Sequence, residues 1–203
     1  MSRFNMVKGD KFSLNKSESL NNLSVILGWT AGEDLDICAF LTGASGLIED
    51  DANFVYFNSD NREESFERER HGSKTAWRKT VRPMSTDGSV LGSIDQRSGG
   101  GLTEQMNVFL SKVSPKVSEI VFCATVYTKG KGFGDVEGAY LSVVNDDNGE
   151  ELCRYTLNEQ FTKENALVAA SLYVDEDGEW TFKAEGKGLL GGMEGLVEIY
   201  AGE

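Results

Sequence analysis

Apolar and polar residues alternate with a period of two through most of the chain, the spacing of strands that bury one face. In Glu179-Trp180-Thr181-Phe182-Lys183-Ala184-Glu185, Trp180, Phe182 and Ala184 fall on one side while Thr181, Lys183 and Glu185 fall on the other. Cys153–Leu157 alternates in the same way, and Leu23–Trp29, Cys38–Leu41, Asn53–Phe57, Glu119–Tyr127 and Gly138–Val144 are further strand-like runs. Asn148-Gly149 and Asp177-Gly178 each separate two such runs, and Asp87-Gly88 is a third turn of the same kind. These dipeptides supply the positive φ angles that tight hairpins need. Many short strands joined by Gly, Asn and Asp turns predict a mainly β fold, a two-sheet β-sandwich with few short helices. The best helix candidate in the second half is Asn158 to Ala170, although its Ala-Leu-Val end fits a strand equally well.

One stretch breaks the rhythm. Asp60 to Met84 holds seven lysines and arginines against five aspartates and glutamates, leaving 13 against 28 for the rest of the chain. Its first half predicts a helix, with Asp60 as cap, Glu63 three residues on, and Glu64 and Arg68 paired at i,i+4. Its second half sets Lys74, Arg78, Lys79 and Arg82 around Trp77. Two readings stand side by side: a docking surface for an acidic partner, or a solvated excursion whose basic arm folds back on the acidic body. The chain is thus expected to be one domain, residues 1–203, carrying a charged arm at about 60–84.

The overall balance, 20 Lys+Arg against 33 Asp+Glu for a net charge of −13 over 203 residues, argues against binding phosphate backbones. Nucleic acid is therefore not the expected partner; cations and basic proteins are. A single histidine, His71, disfavours Ser-His-Asp or Cys-His catalysis and His-rich metal sites. Cys38, Cys123 and Cys153 form no CxxC pair and lie in apolar stretches, so they read as buried thiols of a reducing cytoplasm, the alternative being one disulfide plus a free thiol. No run of eighteen apolar residues and no leader-like N-terminus is present, and a soluble cytoplasmic protein is expected.

The chemical theme is oxygen. Asp34 and Asp36 lie two residues apart, on one side of an extended chain. Asn145, Asp146, Asp147 and Asn148 place four oxygen-bearing side chains in one turn, which is also what an ordinary polar hairpin looks like. Asp95 sits in a glycine-rich stretch able to wrap a ligand. Ca²⁺ takes six to eight such oxygens, and clustered carboxylates whose repulsion it relieves are its usual hosts. No complete EF-hand loop exists. Gly186-Lys187-Gly188-Leu189-Leu190-Gly191 matches a dinucleotide fingerprint but has only twelve residues after it, and Gly130-Lys131-Gly132-Phe133-Gly134 lacks the ending of a phosphate loop. Both read as flexible turns.

Taken together, the residues resemble the TerD-like tellurium-resistance and stress-response proteins. Val7-Lys8-Gly9, Leu27-Gly28-Trp29, Asp34-Leu35-Asp36 with Ala39-Phe40, and Asp51 to Asn58 carry the likeness through the first part of the chain. Phe133 to Ala139, Val143 to Leu157 and Gly178 to Ala184 carry it through the second. The resemblance implies a non-catalytic β-sandwich that binds one or two Ca²⁺ ions and acts through protein partners, including a membrane-associated complex with a TerC-like integral protein. It implies a location in the cytoplasm, at times peripheral to the inner membrane. Carried over by position, Asp34, Asp36, Asp95, Asn145, Asp146, Asp147 and Asn148 are the expected ligands. Two departures qualify this. Where the family usually has an acidic glycine-rich run, this chain reads Ile94-Asp95-Gln96-Arg97-Ser98-Gly99-Gly100-Gly101-Leu102-Thr103-Glu104, and the aspartate commonly following Gly28-Trp29 is Thr30. Fewer carboxylates imply weaker affinity or a lost site. A divergent member is also open to an alternative role, as a structural subunit of a filament or particle that self-associates through residues 60–84.

Overall fold

The computed structural model describes residues 4–14, 20–71, 74–93, 103–157 and 161–202; of residues 66–71, 74–76 and 78 it describes the backbone. In chain order the strands are β1 (Phe4–Met6), β2 (Lys11–Ser13), β3 (Asn22–Gly28), β4 (Ala31–Gly32), β5 (Leu35–Thr42), β6 (Phe54–Val55), β7 (Arg62–His71) and β8 (Lys74–Pro83). They continue with β9 (Val90–Leu91), β10 (Thr103–Phe109), β11 (Glu119–Val126), β12 (Val136–Glu137), β13 (Tyr140–Asn145), β14 (Glu150–Thr156), β15 (Ala166–Val174) and β16 (Trp180–Leu189). A single α-helix among the described residues, α1 (Gly192–Tyr200), follows β16.

Two six-stranded sheets face each other, the first ordered β1-β14-β13-β3-β10-β9 and the second β2-β16-β15-β11-β5-β6. The predicted sandwich is therefore the observed architecture. Leu23, Val25 and Leu27 of β3, with Met106 and Val108 of β10, meet Ile37, Ala39 and Leu41 of β5 and Ile120, Phe122 and Ala124 of β11 in the main core. The alternate residues of the second sheet are buried as well: Cys38, Phe40, Val121, Cys123, Ala166 and Val168 pack under Leu196 of α1. Strands covered on both faces lose the two-residue alternation, which is why β5, β11 and β15 read as continuous apolar runs.

The predicted turns hold. Gly149 and Gly178 have φ of 73° and 79°, the left-handed region that glycine enters without steric cost. Both helix predictions fail. The described part of Asn158–Ala170 is irregular up to Asn165, and from Ala166 it is β15, paired on both sides with β11 and β16, whose packing overrides local preference. The stretch after Asp60 is not helical either. Arg62–His71 and Lys74–Pro83 form an antiparallel hairpin that pairs with neither sheet. The expected Glu64–Arg68 helical pair is replaced by cross-strand contacts: Glu64 with Lys79 at 2.7 Å, and the hydroxyls of Ser65 and Thr80 at 2.7 Å. The segment Gly186 to Leu189 is also not a turn but the end of β16.

Asp87 fixes the base of this region. Its Oδ1 accepts from the Ser85 hydroxyl (2.8 Å) and the Ser89 N–H (2.9 Å), and its Oδ2 accepts from the Ser114 N–H (2.8 Å). Burial pushes the carboxyl pKa up, but the bonds from Ser89, Ser114 and Ser85 together outweigh it, leaving Asp87 below the usual carboxylate value. A carboxyl depressed in the folded state adds stability above its unfolded pKa and loses it as pH falls through the folded one. Asp87→Ala should therefore destabilise the protein by about 1–3 kcal/mol at pH 7. In urea melts the gap to wild type should narrow as pH drops below about 4.

Candidate metal centre

The end of the sandwich where β5 begins and β10 begins opens into a cleft of about 290 Å³. Asp34 immediately precedes β5, alternation along β5 places Asp36 on the side of Cys38 and Phe40 that faces away from the core, and Glu104 lies on the core-facing side of β10 with Met106 and Val108. All three carboxylate residues line the cleft, together with Ser93, Phe57 and Tyr127. Ser93 anchors the edge of β10, its hydroxyl donating to the Gln105 carbonyl (2.8 Å) and accepting the Gln105 N–H (2.6 Å). Phe57 and Tyr127 form an edge-on aromatic pair with centroids 6.4 Å apart, and Tyr127 is 71% exposed. Glu33, next to Asp34, is drawn towards Lys131 at 3.5 Å, and Lys131 also reaches Asp135 at 3.0 Å. Asp36 and Glu104 each take part in a further interaction.

Asp95 lies outside the described residues, but the segment that contains it leaves from Ser93 and returns at Thr103, so both of its flanks are at this cleft. Glu104 was not among the expected ligands, although it is the acidic residue that survives at the end of the altered glycine-rich run. Among the described residues, no group of three or more histidine, cysteine, aspartate or glutamate side chains is arranged so as to hold a metal ion. The donor set itself suits a hard cation: Asp34, Asp36 and Glu104 offer carboxylate oxygens, and no thiol or imidazole lines the cleft.

The Asn145–Asn148 turn is elsewhere. Asn145 pairs with Leu23 at one end of β3, whereas Glu104 pairs with Leu27 near the other, roughly 13 Å along the strand. Its oxygens are engaged in holding the chain. Asp146 accepts from the Ser24 hydroxyl (2.5 Å) and the Asn107 amide (3.0 Å), and Asp147 from the Asn22 amide (3.0 Å). Asn145 and Asn148 accept from the N–H groups of Asp147 (2.9 Å) and Glu150 (2.8 Å). The network continues across the outer face of the first sheet. Gln105 and Asn107 both donate to the Ser24 hydroxyl, and Arg82, at the base of the hairpin arm, donates to Asn107 (2.5 Å) and to the Gly92 carbonyl (2.7 Å). Of the seven expected ligands, Asp34 and Asp36 line one cleft, the four turn residues form a separate polar clasp, and Asp95 lies outside the described residues.

A two-sheet sandwich with an acidic cleft at one end and a hydrogen-bonded Asn/Asp turn on β13–β14 is the arrangement to be matched. The TerD domain profile matches residues 2–79 and 81–200, covering both sheets and most of the arm. The tellurium resistance protein TerD of Serratia marcescens is 33% identical over 95% of this chain and 94% of its own. General stress protein 16U of Bacillus subtilis is 31% identical over 96% and 95%. The crystal structure of a telluride-resistance (TerD) homologue from Streptomyces coelicolor superposes with a TM-score of 0.56 at 18% identity, over 90% of this chain and 96% of that one. The chain belongs to the TerD family. Among the described residues no helix is long and apolar enough to cross a membrane.

Asp146 and Asn107 belong to one polar network, so their contributions should not add. Asp146→Ala and Asn107→Ala are each expected to cost about 1–2 kcal/mol, and the double variant less than the sum by about 0.5 kcal/mol or more in denaturant melts.

Proposed function

We propose that this protein is a non-catalytic Ca²⁺-binding module of a tellurium-resistance or stress-response system, acting through protein partners. The observation that carries the reading is that Asp34, Asp36 and Glu104 all line one cleft, at the point where the segment holding Asp95 leaves from Ser93 and returns at Thr103. Carboxylate oxygens are the donors a hard divalent cation takes. Two relatives, named for tellurium resistance and general stress, align along nearly the whole chain and supply the biological setting. In this reading Ca²⁺ ties the start of β5 to the start of β10 and stiffens a surface that already exposes Phe57 and Tyr127, the kind of aromatic rim that partners bury. The partner would be a protein, in keeping with a membrane-associated complex containing a TerC-like component. The Asn145–Asn148 turn, expected to supply further oxygens, lies at the other end of β3 and is hydrogen-bonded into the fold.

An ion that binds only the folded state stabilises it by about 2.7 kcal/mol at a hundredfold excess over Kd. For a domain of this size that is a rise of about 5–10 °C in melting temperature. Calcium-loaded protein should show this rise over chelated protein by calorimetry, and Asp34→Asn/Asp36→Asn should abolish it. Equal melting temperatures with and without calcium in the wild type would remove the proposal.

The arm favours a second reading, a structural or assembly subunit. The β7–β8 hairpin pairs only with itself among the described residues and presents Trp77 at 68% exposure. Deleting Asn61 to Arg82 should abolish concentration-dependent self-association in sedimentation if the arm joins copies. Association that survives the deletion would exclude the arm as the joining element.

A further inference from the structure

We propose that Cys38 and Cys123 form a buried dithiol site for a soft, thiophilic ion, a trivalent metalloid or a soft divalent metal, gated by helix α1. The proposal is independent of calcium binding. Cys38 on β5 and Cys123 on β11 are directly opposed in the antiparallel register. Directly opposed residues point to the same face with Cα atoms about 4.5–5.5 Å apart, close enough for two sulfurs to grip one atom. Both thiols are free and fully buried. Burial first, then a hydrogen bond with Cys38 and repulsion from it, push the Cys123 thiol well above its usual pKa. Cys123 therefore rests as the thiol, and the buried pair is shielded from ordinary electrophiles and open to an ion that bonds strongly enough to sulfur to displace its protons.

Access has two determinants. The pair lies one step along the strands from Asp36 and Thr125, which are themselves opposed, and Asp36, on the same side of β5 as Cys38, lines the acidic cleft. What closes that face is α1, whose Leu196 is fully buried over the cluster, with Met193, Val197 and Tyr200 packed against it. This helix is only nine residues long and contains Gly192 and Gly195; hydrogen bonds tie its ends to the body, Gly192 N–H to Asn165 Oδ1 (2.9 Å) and Ile48 N–H to the Tyr200 carbonyl (2.8 Å). Such a segment has little stability of its own and depends on packing, so it opens locally more readily than the sheets. The Met193 thioether travels with it, adding a soft donor at the edge of the site. Cys153, on β14 in the other sheet, is equally buried but has no opposed cysteine, since its partners are Val143 and Phe4. It serves as the internal control.

Phenylarsine oxide is the probe. Two As–S bonds form, the As–O bond breaks, and the two thiol protons leave with the oxygen as water, with no change in oxidation state. Reduced full-length protein incubated with the arsenical should gain one adduct per chain by native mass spectrometry. Subsequent denaturation and alkylation should label Cys153 and leave Cys38 and Cys123 protected in peptide maps. Cys153→Ala should keep the adduct, whereas Cys38→Ala or Cys123→Ala should lose it. Leu196→Ala, which loosens α1, should speed its formation at least about tenfold. Cadmium should give the same protection pattern with thiolate charge-transfer absorption. No adduct after prolonged incubation, or an adduct that leaves Cys38 and Cys123 open to alkylation, would overturn the proposal; the protection map settles this on the wild type even if a variant fails to fold.

Discussion

The constraint on which the architecture depends is that the second sheet must be dry on both sides. Leu35, Ile37, Ala39 and Leu41 face the sandwich core, while Cys38 and Phe40, between them on the same strand, face α1. A sandwich alone would leave Phe40, Val121 and Val168 in water. Each large apolar side chain so exposed forgoes about 1.5–3 kcal/mol of burial. The short, glycine-containing helix is therefore not an appendage. It completes the burial of the sheet whose far end carries Asp34 and Asp36, and so fixes the strand that begins the cleft.

The same division organises the polar chemistry. The first sheet, on which no helix packs among the described residues, covers its outer face with the Asp146–Ser24–Asn107–Arg82 network, a hydrogen-bonded substitute for apolar packing. Buried polar groups are tolerated there because each finds a partner. This network also explains how the hairpin arm is seated. Arg82 clamps its base to β10 and to the chain at Gly92, so the arm is seated on the body although, among the described residues, its strands form a sheet of their own.

Much of this was legible in the sequence, for physical reasons that differ by element. Alternation in Trp180–Glu185 and the Asn-Gly and Asp-Gly turns sufficed for the hairpins, because both are local. Asp34 and Asp36 were legible because two residues on one strand share a face wherever that strand goes. The Asn145–Asn148 turn was legible as an oxygen-rich turn, but its bonds to Ser24, Asn107 and Asn22 were not, because oxygen-rich turns serve capping and ligation alike and those partners are far away in sequence. The arm misled for a related reason: the i,i+4 charges of Glu64 and Arg68 suit a helix, but the matching run from Lys74 to Pro83 offered a strand partner that no single window contains. Helix α1 was hidden by its glycines, and the part played by Glu104 by its distance in sequence from Asp36.

The placement of α1 also has a consequence for how the molecule is made. Synthesis runs from the N-terminus, so β5 is released from the ribosome some 150 residues before the helix that shields Cys38 and Phe40. Through that interval a strand apolar on both sides has no cover for one of them. Long sequence separation between partners slows folding and prolongs the life of sticky intermediates. A nascent chain stalled before Gly192 would present a greasy, thiol-bearing sheet, the sort of surface that holdase chaperones recognise.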